Sequence, residues 1–446
     1  MTDSRKTAVE IVQRLREAGH EALFAGGCVR DMVMGNEPAD YDIATSAKPQ
    51  QVMELFRRTV PVGAQFGVVL VLVDDKQYEV ATFRSDQGYE DGRRPIGVKY
   101  TNAREDALRR DFTINALFYD PIGEKVIDYV EGRRDIERKI VRTVGDPFAR
   151  FKEDKLRMVR AVRFATRFGF QIEEATLEAI KKYSPNVTQV SWERIGEELE
   201  KTLTGPNRGM ALQLLADTSL LKHVLPEVHQ MIGVPQPEAH HPEGDVFEHT
   251  KMSLDNLCIE TGCQPSSVLA FATLLHDVGK PATLTIEDRI RFSGHEVVGA
   301  KIADKVCRRL RLSSEKREKI EDIVANHMRF IHAQEMRESK LKKMLQRETF
   351  LEELEMHRAD CLASHGSLEI YDFLKMKLVS LPEEEIKPPP LIRGDDLIEL
   401  GLTPGPLFGE ILRAVEEMQL EGSLKTKEEA LAWVRQNYIE IRGRQG

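Results

Sequence analysis

The sequence predicts a multi-domain chain, with a small mixed α/β head followed by a mostly all-α remainder. Three observations predict this. Strand signals, clearest at Val68 to Val73 and Tyr78 to Phe83, are concentrated in the first 130 residues. From Asp135 onward strand signals nearly vanish and helical periodicity runs to the end. A length of 446 residues also exceeds one compact core and suits two to four domains.

The elements follow in order. Ser4 to Arg16 reads as an amphipathic helix with Ala8, Ile11, Val12 and Leu15 on one face. A strand at Ala22 to Ala25 leads into Gly26-Gly27 and a helix reaching Gly35. Tyr41 to Ala44 is predicted as a strand and Pro49 to Arg58 as a helix. Val68 to Val73, Asp74-Asp75-Lys76 and Tyr78 to Phe83 read as a hairpin. Further on, Gly205-Pro206, Pro235-Gln236-Pro237, Pro242 and Pro388-Pro389-Pro390 break the helical pattern and are expected at linkers. The expected division is 1–130 for the head, 131–230 for a helical neck, 231–378 for a further helical domain and 379–446 for a helical tail.

Composition narrows the functional classes. Hydrophobic residues make up 41% and charged residues 31%, as in a soluble globular protein. No apolar run approaches a membrane span, and Met1 to Glu10 lacks the apolar core of a signal peptide. No membrane partner is therefore expected, and the expected location is cytoplasmic. The five scattered cysteines contain no Cys-x-x-Cys pair, which argues against a disulfide framework or a thiolate zinc site. A net charge of −9 argues against nucleic-acid binding, but it is unevenly spread. Between Tyr129 and Phe170, twelve Lys and Arg face six Asp and Glu, a local basic zone able to bind phosphates.

In the head, Asp40 and Asp42 stand two apart on a predicted strand and so share a face, and Glu79 lies on the second hairpin strand. Three converging carboxylates repel one another unless a cation lies between them. Mg²⁺ suits such hard oxygen ligands and leaves positions open for triphosphate oxygens. Two such ions can activate an attacking 3′-hydroxyl and stabilise departing pyrophosphate. Gly26-Gly27 precedes a helix N-terminus whose amides can hold a phosphate, with Arg30 and Arg84 as candidate partners for its charge. Singly, Asp-x-Asp or Gly-Gly is ordinary turn chemistry. Together, with Asp40 thirteen residues after Gly27 and a hairpin Glu behind, they are much rarer.

The run Arg109-Arg110-Asp111-Phe112-Thr113-Ile114-Asn115-Ala116 resembles the second signature of the class II tRNA nucleotidyltransferases and bacterial poly(A) polymerases. Other signatures of that family stand in order. Gly26-Gly27 to Asp42 is similar to its catalytic motif, and Gly132 to Ile136 sits where its hinge motif belongs. Glu153-Asp154-Lys155-Leu156-Arg157-Met158-Val159-Arg160 is similar to its nucleotide-selecting motif. The resemblance implies a nucleotidyltransferase head, with Arg110, Asp111 and Asn115 at the nucleotide and Asp111 and Asn115 on the ribose 2′-hydroxyl. It also implies that Asp154 and Arg157, with Arg160 nearby, select the base. Three apart on one helix, Asp154 and Arg157 would share a face. A carboxylate accepts from an exocyclic amine, and a guanidinium donates to the neighbouring acceptor. Cytosine and adenine offer that pattern, whereas guanine and uracil do not. Without the family resemblance, an exposed ion pair would be the preferred reading.

Ser85 to Pro95 is glycine-rich and charged, is expected to be mobile, and resembles the loop that family members use in switching from C to A. Enzymes that stop after CC typically have this loop shortened. Val62-Gly63-Ala64-Gln65-Phe66-Gly67-Val68 is similar to the tRNA-directed branch, because the poly(A) branch carries a basic pair where Ala64-Gln65 stand.

A second constellation follows. His249, His276-Asp277 and Asp360 resemble the ligand order of the HD phosphohydrolase superfamily, within Leu274-Leu275-His276-Asp277-Val278-Gly279-Lys280-Pro281. Imidazoles and carboxylates together bind a transition metal or Mg²⁺ and activate water. His295 and His327 occupy positions that could serve a second metal. Against this stands an HD fold that mainly supports tRNA binding.

The resemblance thus implies a tRNA nucleotidyltransferase adding CCA from CTP and ATP without a nucleic-acid template. Its expected partners are tRNA, ATP and CTP, with no DNA, and its cofactor Mg²⁺. HD-domain phosphohydrolase activity on RNA ends would accompany it. An A-adding enzyme, a poly(A) polymerase, and an HD phosphohydrolase with an RNA-docking head stay open at this stage, as does the oligomeric state.

Overall fold

The computed structural model describes residues 3–62, 66–89, 95–239 and 241–439, the side chains of 86–89, 95 and 96 excepted. The chain divides into two compact units, 1–232 with 305–313, and 233–304 with 314–446.

The first unit opens with α1 (Asp3–Glu17), β1 (Ala22–Ala25), α2 (Gly27–Val33), β2 (Ile43–Thr45) and α3 (Pro49–Leu55). Then come β3 (Thr59–Val60), β4 (Val68–Val73), β5 (Lys76–Thr82), β6 (Arg84–Tyr89), β7 (Pro95–Tyr100), α4 (Ala103–Arg109), β8 (Leu117–Asp120) and β9 (Lys125–Asp128). Seven strands form one mixed sheet in the order β3-β4-β5-β2-β1-β8-β9. The β4–β5 hairpin forms as six successive residues, Val68 to Val73, face partners in β5 across a turn at Asp74, whose positive φ of 52° closes it. Among the described residues of this sheet, β2 and β5 form its parallel pair, matching Ile43 with Val80 and Ala44 with Ala81.

Alternation divides the sheet into two faces. Phe24, Ile43 and Val80 are buried on one face, where α1 and α3 pack against the strands. Leu23, Ala25, Ala44, Phe83 and Phe118 belong to the core on the other, joined by Ala103 and Ala107 of α4. Two expectations need correction here. Asp40 and Asp42 precede β2 rather than lying on it. Most of the expected 85–95 loop is strand, because β6 and β7 pair from Arg84↔Tyr100 to Tyr89↔Pro95. The tip of that loop, residues 90–94, lies outside the described residues, as does the Gly63-Ala64-Gln65 signature.

The remainder of this unit is helical. It holds α5 (Gly132–Glu137), α6 (Pro147–Glu153), α7 (Leu156–Phe168), α8 (Glu174–Tyr183), α9 (Trp192–Leu203), α10 (Arg208–Asp217), α11 (Leu220–Val224) and α12 (Pro226–His229). Between them, β10 (Ile140–Val141) and β11 (Gln171–Ile172) form a short parallel pair. α7 is buried along most of its length and packs on α9 and α10.

The second unit begins with α13 (Val246–Asn256), α14 (Ser267–Leu275), α15 (Lys280–Thr283), and the first part of α16 (His295–Arg309). It continues with α17 (Ser314–Asn326), α18 (Glu338–Leu345), α19 (Phe350–Ala363) and α20 (Glu369–Ser380). The largely apolar α14 is its central helix, packed by α13, α17 and α19. A separate cluster around Leu397, Ile411, Val415 and Val434 forms the core of the C-terminal helices. No described helix is long and apolar enough to cross a membrane.

Candidate functional site

Parallel pairing of β2 with β5 sets the head site. Asp42 immediately precedes Ile43 and Glu79 immediately precedes Val80, and Ile43 and Val80 are register partners. The two carboxylates therefore neighbour each other on the face of Ala44 and Ala81. Loss of hydration, then the negative charge of Glu79 and Asp40, pushes the Asp42 carboxyl up to about 6, against the opposing pull of Arg110. That mutual repulsion is what a divalent cation relieves, so the donor set fits Mg²⁺ chemistry. Among the described residues, the tightest three-donor groups lie in the second unit, and these three carboxylates do not close to that spacing.

Gly26 joins β1 to α2 with a φ of 76°, and its N–H donates to Leu117 O at 3.0 Å. A Cβ there would come within 2.9 Å of Arg110 Nη1, so that arginine's tip would have to shift, and the positive φ itself favours glycine. Arg110 pairs with the buried Asp106 at 2.9 Å and donates to Asn115 O at 3.2 Å. Gly27 starts α2, with the Arg30 guanidinium beside it. Arg30 is itself buried. It donates to Asn115 Oδ1, pairs with Asp31 at 2.8 Å and lies 4.5 Å from the Phe168 ring centroid. Arg84 donates through its side chain to Phe66 O, and its backbone is held by Asp106 and Arg109.

Asp111 and Asn115 come together. Asn115 Nδ2 donates to Asp111 Oδ1 at 3.2 Å, while Arg160 grips Asp111 Oδ2 at 2.6 and 2.9 Å. Burial alone would raise the Asp111 pKa, but Arg160 overrides it and holds the carboxyl below its ordinary value. Arg160 is steadied in turn by Glu198 at 3.4 Å, which also accepts from Arg163 at 2.5 Å.

Asp154 and Arg157, expected to share a helix face, do not share a helix. The chain breaks at Asp154, with φ −137° and ψ 109°, between α6 and α7. Asp154 Oδ1 accepts from Leu156 N at 3.0 Å, so the carboxylate secures the start of α7. Its other oxygen pairs with Arg194 of α9 at 3.0 Å. Arg157, nearly buried, turns to Glu153 at 2.8 Å and to the carbonyls of Arg150 and Arg109. Arg194, Glu198, Glu153 and Asp106 were missed by sequence reading. The spacing Arg194-x-x-x-Glu198 on an amphipathic helix was the available signal.

In the second unit the six expected residues converge. His249 Nε2 lies 2.9 Å from Asp360 Oδ1 and 3.3 Å from His276 Nε2. Asp277 stands between two groups, with Oδ2 3.2 Å from His276 Nε2 and Oδ1 3.4 Å from His295 Nε2. His295 and His327 meet through their Nε2 atoms at 3.1 Å. Two donor triads result, His249–His276–Asp360 and Asp277–His295–His327. Burial alone would lower the His249 pKa, but hydrogen bonds to Asp360 and Glu243 push it up to about 9. Burial, aided by the neighbouring His276, pushes His327 down to about 3. This set of imidazole and carboxylate donors fits a transition metal or Mg²⁺. Lys280, 2.7 Å from Asp277 Oδ2, and Glu243 were not anticipated.

Comparison with known proteins agrees with this geometry. The family model described as the Poly A polymerase head domain matches residues 22–142. A probable RNA and SrmB-binding site of polymerase A matches 169–232, and an HD domain matches 246–364. The fold and these matches define a nucleotidyltransferase-type head followed by an HD module. A CCA-adding enzyme of Bacillus cereus is 32% identical over 428 residues, 96% of each chain. One from Bacillus pumilus is 47% identical over 218 residues, 49% of this chain and 54% of that protein, so the chain spans about half the length of such relatives. The crystal structure of the Bacillus stearothermophilus CCA-adding enzyme in complex with CTP superposes with a TM-score of 0.75, at 29% identity, over 100% of this chain and 99% of that one. The chain belongs to the family of CCA-adding enzymes.

Proposed function

We propose that this chain adds C, C and A to the 3′ end of tRNA from CTP and ATP without a nucleic-acid template. The observation that carries the reading is the carboxylate edge of the head, linked through Arg110 to the Asp111–Asn115 pair. Full-length similarity to CCA-adding enzymes supports it, and these names favour CCA addition over poly(A) synthesis. Residues 1–130 would form the catalytic head, 131–230 the selecting neck, 231–378 the HD domain and 379–446 a tRNA-binding tail.

Asp40, Asp42 and Glu79 would hold Mg²⁺, which when bound supplies charge neutralisation for the triphosphate and a more acidic 3′-hydroxyl. The backbone at Gly26-Gly27 and the guanidinium of Arg110 would receive triphosphate oxygens, with Arg30 and Arg84 shaping that wall. Asp111 and Asn115, already hydrogen-bonded, would take the ribose 2′-hydroxyl. Arg160 fixes the Asp111 carboxylate as an acceptor. Asp154 would accept the exocyclic amine of cytosine or adenine while Arg157 donates to the adjacent ring acceptor. Contacts to tRNA would be mainly to phosphates and shape, because every tRNA is a substrate.

The two donor triads favour a second reading beside the first. Held by His249, His276, Asp277 and Asp360, and by His295 and His327, one or two divalent ions would lower the pKa of a bound water for phosphoester hydrolysis at RNA ends. The two functions separate by mutation. Asp42→Ala should abolish nucleotide transfer and leave tRNA binding and RNA-end hydrolysis intact, whereas Asp277→Ala should do the reverse. Transfer surviving in Asp42→Ala would overturn the head assignment.

A further inference from the structure

The histidines of the second-unit centre share one orientation. His276 Nδ1 donates to Thr273 O at 2.8 Å, His295 Nδ1 to Phe292 O at 2.9 Å and His327 Nδ1 to Val324 O at 2.7 Å. A carbonyl only accepts, so each Nδ1 carries the proton and each Nε2 lone pair is turned inward. His249 is the exception in kind. Its Nδ1 meets a carboxylate, Glu243 Oε1, at 2.6 Å, and the same oxygen lies 2.9 Å from His241 Nδ1. His249 is fully buried and the Glu243 side chain is only 3% exposed, so this charged contact is shielded from water.

We infer that Glu243 is a positioning residue that fixes the Nδ1–H tautomer of His249 and strengthens its Nε2 as a ligand for a divalent transition metal, with His241 holding Glu243 in place. A carboxylate accepting from Nδ1–H increases the electron density of the ring more than a carbonyl does. The His249–His276–Asp360 group is therefore the tighter of the two ligand sets. The Asp277–His295–His327 group, whose Nδ1 hydrogen bonds go to backbone carbonyls with the Glu296 carboxylate no nearer than 3.6 Å to His295 Nδ1, fills second. His241, Glu243 and His249 also lie close enough together to be considered as a metal group. The distances of 2.6 and 2.9 Å around Glu243 Oε1 are those of charge-assisted hydrogen bonds, in which Glu243 accepts from both rings.

This inference rests on the reading of the HD group as a metal centre, and the test separates the two. Full-length protein, stripped by chelator, is titrated with Mn²⁺ by calorimetry and with Co²⁺ by its visible ligand-field absorption. Wild type, E243A, E243Q, H241A and H327A are compared. The tighter binding step should weaken about 10- to 100-fold in E243A. E243Q keeps an accepting oxygen without the charge and should fall between E243A and wild type. H241A should lose severalfold, and H327A should lose only the weaker step. E243Q is isosteric, so together with H241A it decides the matter even if E243A does not fold. Wild-type affinity in both E243Q and H241A would overturn the positioning role. An additional ion lost only in H241A would instead make His241–Glu243–His249 a ligand set. Failure of the wild type to bind either ion would overturn the metal centre itself.

Discussion

Replacing Arg194 by Ala tests how the base-selecting residues are held. Arg194 Nη2 lies 3.0 Å from Asp154 Oδ2, while Nη1 is a marginal 3.5 Å from Oδ1, so one good charge-assisted bond joins α9 to the break before α7. A hydrogen bond to a charged group contributes about 1.5–3 kcal/mol. Stranding a fully buried charge costs about 3–5 kcal/mol. The side chains are 18% and 15% exposed, which admits some water and places the loss nearer the lower figures. Arg194→Ala should therefore destabilise the first unit by about 2 kcal/mol, a factor of roughly 30 in its unfolding equilibrium. Asp154 would keep only the Leu156 N–H and its carboxylate would swing. Single-turnover incorporation of each of the four NTPs should then show the preference for C and A over G and U reduced by about tenfold or more, an amount equal to about 1.4 kcal/mol. Arg194→Lys should recover part of the stability. Lost stability with unchanged base preference would refute the idea that Asp154 selects the base from this anchored position.

Two further outcomes follow from geometry. A Cβ at Gly132 would stand 2.2 Å from Thr113 O and 2.9 Å from Thr113 C, backbone that cannot move without displacing the Asp111–Asn115 turn. Gly132→Ala should cost about 3 kcal/mol in thermal or urea unfolding, and wild-type melting would contradict the close approach. The Asp42 carboxyl, raised to about 6 from an ordinary 3.8, binds its proton more tightly folded than unfolded. Its ionisation therefore disfavours the folded state as pH rises through about 6. Asp42→Asn should raise the melting temperature of the metal-free protein at pH 7.5, with the gain shrinking toward pH 4. Equal melting at pH 7.5 would show that the carboxylates are not crowded.

Local signals were legible and distant partners were not. The head strands were visible because a short run rich in β-branched residues is a property of neighbouring residues, as in Val68 to Val73, and the helix at Ser4 to Arg16 declared its buried face. The HD residues were visible because His276-Asp277 closes a largely apolar helix. The orientation of His276, His295 and His327 is local too, since each Nδ1 reaches the carbonyl three residues back. Asp154 was placed on one helix with Arg157 because periodicity cannot show that its carboxylate starts a new one. Its partner Arg194 lies 40 residues on, brought near only by the packing of α7 on α9. Arg30 carries the same lesson, for Asn115, the residue it holds, is 85 positions away. Glu243 stood in plain view after His241 and Pro242, but nothing in the sequence says that it faces His249.

The central claim is tested most directly on tRNA lacking its terminal CCA, incubated with purified protein and Mg²⁺ and given CTP alone, ATP alone, then both, with product lengths read on a sequencing gel. The account predicts two additions with CTP and a third only when ATP is also present. No addition with CTP, but one A on tRNA already ending in CC, would contradict it in favour of an A-adding enzyme, and long A tracts would contradict it in favour of a poly(A) polymerase.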